Sequence, residues 1–193
     1  RLLVDQRVSE AFYQKLVECT EAQVAGDSRD PNTTLSPAIH PLHLERISGF
    51  VERARDTGDR ILFGGDKPTD GTLWYPPTLI EPRSNESEVV QKEIFGPVLT
   101  WQTFETAAEA VELANSTAYG LAGIVYTSDA QRAERLGRAI RAGIVWVNCF
   151  LIRDLTAPFG GIGISGIGRE GGDYALDFHS DLKMLQIFEG SVS

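Results

Sequence analysis

The sequence predicts an α/β fold with a parallel sheet, on three observations. Strand-like and helix-like segments alternate from Val98 to Phe150, the pattern of right-handed βαβ units. The 193 residues, 42% hydrophobic and 23% charged, suffice for one core, or for one domain with a small appendage. The 19 Gly and 9 Pro are spread through the length, which excludes a collagen-like or disordered chain.

Taken in order, Leu2 to Val4 opens as a strand. Val8, Phe12, Leu16 and Cys19 then recur at three- and four-residue steps, predicting an amphipathic helix whose buried stripe includes Cys19. GDSRDPNTTLSPAIHP is a polar loop rich in turn formers. After it, Leu44, Ile47, Val51 and Ala54 predict a second helix, stopped at Gly58. RILFGG reads as a short strand entering a Gly-Gly turn. Pro76, Pro77 and Pro82 restrict TDGTLWYPPTLIEP to short or edge strands. VLTWQTF is a strand, ETAAEAVELANS a helix, AGIVYTS a strand, and DAQRAERLGRAIRAG a helix ending at Gly143. IVWVNCF is apolar on both sides, so it is expected at the centre of the sheet. APFGGIGISGIGREGG follows with no helix of adequate length behind it, and LKMLQIFEG closes the chain as a strand.

Charge and composition remove several classes of function. Asp and Glu number 27 against 18 Lys and Arg, a net charge of −9, the wrong sign for neutralising phosphates, so nucleic acid is not an expected partner. No apolar run reaches the ~20 residues of a spanning helix, and no signal-like segment opens the chain. Cys19 and Cys149, distant and without a CxxC, fit reduced thiols in a cytoplasmic protein. The chain opens RLLV without an initiator Met, which reads as a piece of something longer.

Gly161, Gly163 and Gly166 spell G-x-G-x-x-G, a pattern that lets backbone approach a pyrophosphate. Pro158 and Phe159 precede it and no adequate helix follows, so a shaped structural loop is the stronger reading, with a nucleotide loop as the alternative. His40, His43 and His179 make no metal-ligand spacing, and His40 and His43, flanking Pro41, read as capping or loop residues. No G-x-S-x-G is present. Cys149 sits where α/β enzymes keep their sites, but with no nearby His it reads rather as a packed core thiol.

Three segments carry more information together than any motif alone: KEIFGPV at Lys92 to Val98, GIVWVNCF at Gly143 to Phe150, and PFGG followed by SGIGRE at Pro158 to Glu170. In order and spacing the chain resembles the C-terminal half of the NAD(P)-dependent aldehyde dehydrogenases over almost its whole length. Within that family the string from Arg153 to Gly172 is most similar to enzymes that oxidise hydroxymuconic-type semialdehydes.

The resemblance implies an aldehyde dehydrogenase-like fold. Residues 1–180 would be the C-terminal part of the catalytic domain and residues 181–193 an oligomerisation strand and tail. It implies that Glu93 accepts the nicotinamide ribose hydroxyls of NAD or NADP and that Phe95 packs at the nicotinamide end. It implies that Phe159 lines the aldehyde pocket, with Leu151 to Leu155 in the variable substrate mouth. There Arg153 brings a fork of donors suited to a substrate with its own carboxylate, the alternative being a salt bridge with Asp154 or another carboxylate. The family's nucleophilic Cys and general-base Glu are expected upstream of Arg1, so no catalytic residue and no metal ligand is assigned within this chain. Ile162 and Gly163 stand where many relatives carry an aromatic and a Lys, which puts one loop contact in doubt. The expected partners are a small aldehyde and further copies of the chain. An assembly module without activity is the alternative to an enzyme.

Overall fold

The computed structural model describes residues 1–190, which divide into two compact units, one over residues 1–117 and one from Ala118 onward. The first contains β1 (Leu2–Asp5), α1 (Ser9–Glu21), α2 (Pro41–Asp56), β2 (Arg60–Phe63), β3 (Thr78–Glu81), α3 (Glu88–Gln91), β4 (Val98–Phe104) and α4 (Ala107–Ala114). Its sheet has the order β1-β4-β3-β2. β1 and β3 run parallel to β4, while β2 returns antiparallel beside β3.

β3 is short, as the prolines require, but it is interior rather than an edge. Pro76 and Pro77 precede the strand and Pro82 follows it, so no proline has to donate to the ladder. Successive side chains point to opposite faces, and both faces are covered: Ile80 joins the α2 cluster with Leu44, Ile47, Val51 and Ile94, and Leu79 joins Val4 and Trp101 on the other side. α2 forms as the spacing predicts, with Leu44, Ile47, Val51 and Ala54 buried. Pro41 occupies its first turn, where no amide partner is needed. His40 caps it, Nδ1 accepting the Leu42 amide at 3.2 Å. The helix stops ahead of Gly58, whose φ is +88°.

α1 differs from the expected stripe. Tyr13, Leu16 and Val17 turn toward the sheet, Val8 and Phe12 stay largely exposed, and Cys19 is exposed rather than buried. The helix is rolled so that Tyr13 meets the Trp101 ring edge-on, with Phe12 stacked beside it. Aromatic packing against one large indole set the face, and four-residue periodicity alone did not reveal it.

The second unit contains β5 (Ala122–Val125), α5 (Ala130–Ala139), β6 (Ile144–Val147) and α6 (Gly172–His179). β5 and β6 pair in parallel, with Ala122 opposite Ile144. Among the described residues β6 pairs with β5 alone, so it is not the central strand its apolarity suggested. α5 ends at Ala139 rather than Gly143. α6 was not anticipated, because it opens on Gly171 and Gly172 at φ +87° and +57°, residues that read as loop. Residues 181–190 carry no strand; a strand needs a hydrogen-bonded partner, and Leu182, Met184, Leu185, Ile187 and Phe188 are all exposed. Residues 191–193 of the expected terminal strand lie outside the described residues.

Candidate functional site

In the first unit the residues of interest lie on the loop between α3 and β4. Lys92 closes α3 by donating its amide to Glu88, and at the far end the Pro97 carbonyl accepts the Thr78 amide at 2.8 Å. Between these fixed ends Ile94 drops into the α2 core, 6% exposed. Glu93 and Phe95, the residues flanking it, are exposed on the surface. Gly96 lies flat against α2, where a Cβ would stand 2.6 Å from Ile47 Cδ1. Phe95 holds φ +62°, a left-handed conformation that an aromatic residue rarely adopts.

The loop is gripped from one side by α2. Arg46 donates from Nη2 to the Glu93 carbonyl at 2.7 Å and from Nε to the Ile94 carbonyl at 3.4 Å. His43 Nε2 meets the Phe95 carbonyl at 2.5 Å. His43 is therefore not a cap; one turn into the helix, it faces the loop. Sequence reading missed both residues as functional candidates. The signal available was the i, i+3 spacing of two long polar donors on α2, but the loop they meet is 47 or more residues away in sequence.

In the second unit Phe159 and Glu170 form an antiparallel bridge, exchanging main-chain hydrogen bonds at 2.7 and 2.8 Å. Arg153 lies over it: its guanidinium stands 4.5 Å from the Phe159 ring centroid and pairs with Glu170 Oε1 at 2.5 Å. The two predicted substrate residues are thus brought together, with Glu170 as the carboxylate Arg153 meets. Asp154 instead accepts from Thr156, amide and hydroxyl both, which holds its carboxyl below the usual value.

Cys149 is half-buried rather than a core thiol. Its neighbour Asn148, at φ +53°, pairs with both main-chain groups of Thr127, at 2.8 Å each, and so ties the ends of β5 and β6 together. The glycine run folds on itself. A Cβ on Gly161 would meet the Ser165 carbonyl at 2.5 Å, and one on Gly163 the Ala118 carbonyl at 2.6 Å. These close approaches are to the protein's own backbone, which accounts for the glycines without a pyrophosphate. Gly163 also sits at φ +62°, a left-handed conformation that glycine adopts freely. Among the described residues no group of three or more His, Cys, Asp or Glu side chains could hold a metal ion, and no helix is long and apolar enough to cross a membrane.

Residues 1–185 match the aldehyde dehydrogenase family, and the chain belongs to it. Among curated relatives, a 2-hydroxymuconic semialdehyde dehydrogenase from Pseudomonas putida is 39% identical over 190 residues, covering 96% of this chain and 39% of the relative. A betaine aldehyde dehydrogenase from Cereibacter sphaeroides is 34% identical over 192 residues, covering 100% of this chain and 40% of the relative. Among solved structures, the NAD-dependent aldehyde dehydrogenase from Sinorhizobium meliloti superposes with a TM-score of 0.92 at 33% identity, over 100% of this chain and 39% of that one. The chain spans about two fifths of the length of the relatives it matches.

Proposed function

We propose that these residues are the cofactor-gripping and substrate-shaping part of an NAD(P)-dependent aldehyde dehydrogenase, the intact enzyme oxidising an aldehyde to its acid through a Cys thiohemiacetal. The observation that carries this reading is the loop from Lys92 to Val98, which holds an exposed carboxylate and an exposed aromatic ring on a backbone fixed at both ends and along one side. Phe95, 72% exposed and left-handed, meets the His43 ring at 6.2 Å between centroids and leaves most of its own ring open to a ligand. A carboxylate beside it suits a diol, since two oxygens accept from two hydroxyls. NAD(P)+, when bound, supplies the hydride acceptor. Glu93 holds the ribose, Phe95 packs at the nicotinamide end, and the fixed loop orients both. This reading assigns neither the nucleophilic Cys nor the general-base Glu of this chemistry to the described residues.

Phe159 lines the aldehyde pocket in this reading, and Arg153 stands over it to receive a substrate carboxylate in exchange for Glu170. An exposed ion pair of this kind is weak and can be displaced. The names of two relatives, 2-hydroxymuconic semialdehyde dehydrogenase and 2-aminomuconic 6-semialdehyde dehydrogenase, favour a carboxylated semialdehyde as substrate. The segment from Leu182 to Gly190 adds as a strand to another copy of the chain, supported by the exposed apolar side chains from Leu182 to Phe188. Two free cysteines support a cytoplasmic setting.

The test uses the full-length enzyme. Glu93→Gln is expected to raise KM for NAD(P)+ by about ten-fold, the loss of a charge-assisted hydrogen bond; an unchanged KM would refute the ribose role. Arg153→Ala is expected to lower kcat/KM for a carboxylated semialdehyde and to leave an uncharged aldehyde of equal length unaffected. An equal loss for both substrates would make Arg153 a structural bridge to Glu170.

A further inference from the structure

We infer that Trp146 is a positioning residue for substrate preference: its indole N–H, held on the Ile152 carbonyl, fixes the peptide plane from which Arg153 projects. This rests on the proposed role of Arg153 as the receiver of a substrate carboxylate.

Trp146 Nε1 donates to the carbonyl of Ile152, six residues further on, at 2.7 Å. That carbonyl belongs to the peptide joining Ile152 to Arg153. A peptide is planar, so a bond to its oxygen also orients the Arg153 amide, and with it the direction in which the Arg153 side chain leaves the backbone. Burial does not do this work, because Leu151, Ile152 and Leu155 are all exposed. The chain also turns away from β6 through Asn148 at φ +53° and Leu151 at φ +57°, left-handed conformations that residues with side chains keep only when held from outside.

The donor stands on firm ground. Trp146 is the third residue of β6, buried, with the Phe150 ring edge-on to its own at 5.7 Å between centroids. On the other side of Arg153 the chain closes on itself: the Asp154 carbonyl accepts the Ala157 amide at 3.2 Å, and the Asp154 carboxylate accepts from Thr156. Arg153 therefore lies between a bond borne by a strand and a self-closed turn, and from that backbone its guanidinium reaches over the Phe159 ring. A guanidinium recognises a carboxylate through a planar fork of donors, so a small rotation of the Arg153 backbone misaligns the fork. Trp146 thus acts on the substrate's charge without touching the substrate.

The test measures kcat/KM in the full-length enzyme for a carboxylated semialdehyde and for an uncharged aldehyde of equal length, with the melting temperature of each variant. Trp146→Phe keeps an aromatic ring beside Phe150 and removes the N–H. It is expected to lower kcat/KM about five-fold for the carboxylated substrate, the loss of one hydrogen bond, and to leave the uncharged one within about two-fold. In a chain already carrying Arg153→Ala the same change is expected to have no further effect on the carboxylated substrate, since a residue acting through Arg153 loses its effect with it. Trp146→His is expected to recover most of the preference, because imidazole Nε2 occupies the place of indole Nε1 in a five-membered ring. Should Trp146→Phe not fold, Trp146→His and Trp146→Met, both smaller, repeat the comparison with and without an N–H. The inference is overturned if Trp146→Phe lowers both substrates equally, if it leaves the preference unchanged, or if its effect persists in full on Arg153→Ala. A silent Arg153→Ala is a different failure, that of the carboxylate role itself.

Discussion

At the scale of single residues, the loop after α3 concentrates strain and close packing where the proposed cofactor contacts lie. Phe95 in the left-handed region stores on the order of 1–3 kcal/mol, held against the surrounding hydrogen bonds. Gly96, beside it, has no room for a methyl group against Ile47. Gly96→Ala is therefore expected to destabilise the protein by about 1–3 kcal/mol, seen as a lower denaturant midpoint at an unchanged slope. Glu88, the first residue of α3, accepts from Arg53 at 2.7 Å, and this bond holds its carboxyl below the usual value. A carboxyl whose folded pKa is depressed stabilises the fold fully above its unfolded value and loses that contribution as pH falls through the lower, folded one. Melting temperatures recorded from neutral to acid pH should fall less steeply at the acid end in Glu88→Gln than in the parent; parallel curves would remove Glu88 from the acid transition. At this scale the sequence named Glu93, Phe95, Arg153 and Phe159; that the Arg153 guanidinium stands over the Phe159 ring is a tertiary outcome. The bonds of His43 and Arg46 were not legible there, because the i, i+3 spacing of two donors does not say which distant main-chain carbonyls they meet.

Among the elements, α2 has the widest reach. Its buried face packs on β3, its polar flank holds the loop, and Phe50 lies beneath the guanidinium groups of Arg46 and Arg53, at 5.0 and 4.8 Å. Ile47, 1% exposed, touches both the core and Gly96, so Ile47→Ala is expected to cost about 2–5 kcal/mol and to loosen the loop as well. Faster hydrogen exchange at the amides of residues 93–98 in this variant than in a core variant of equal cost elsewhere would show the second effect. Periodicity found α2 because its stripe is continuous and its caps are explicit, whereas it misplaced the face of α1, which turns so that Trp101 takes both Phe12 and Tyr13. α6 escaped because its first turn is built of glycines in left-handed conformations.

For the whole molecule, the proposed division of labour makes a direct prediction: these 193 residues, purified alone, reduce no NAD(P)+ with any aldehyde. Turnover above background would mean that a nucleophile within the chain had been overlooked. Likewise, removing residues 181–193 from the full-length enzyme should lower its oligomeric state in sedimentation, since the exposed apolar side chains from Leu182 to Phe188 would be gone. By itself the sequence determined the family, the α/β class, most element positions and the identity of the residues flanking Ile94, because these are carried by local pattern and motif order. Tertiary structure alone decided which face of α1 is buried, that β3 is interior and β6 pairs only with β5 among the described residues, that Arg153 meets Glu170, and that α2 holds the Glu93 loop by its carbonyls. Those outcomes depend on which distant segments come into contact, and contact between distant segments is settled by shape and hydrogen-bond geometry that no local pattern encodes.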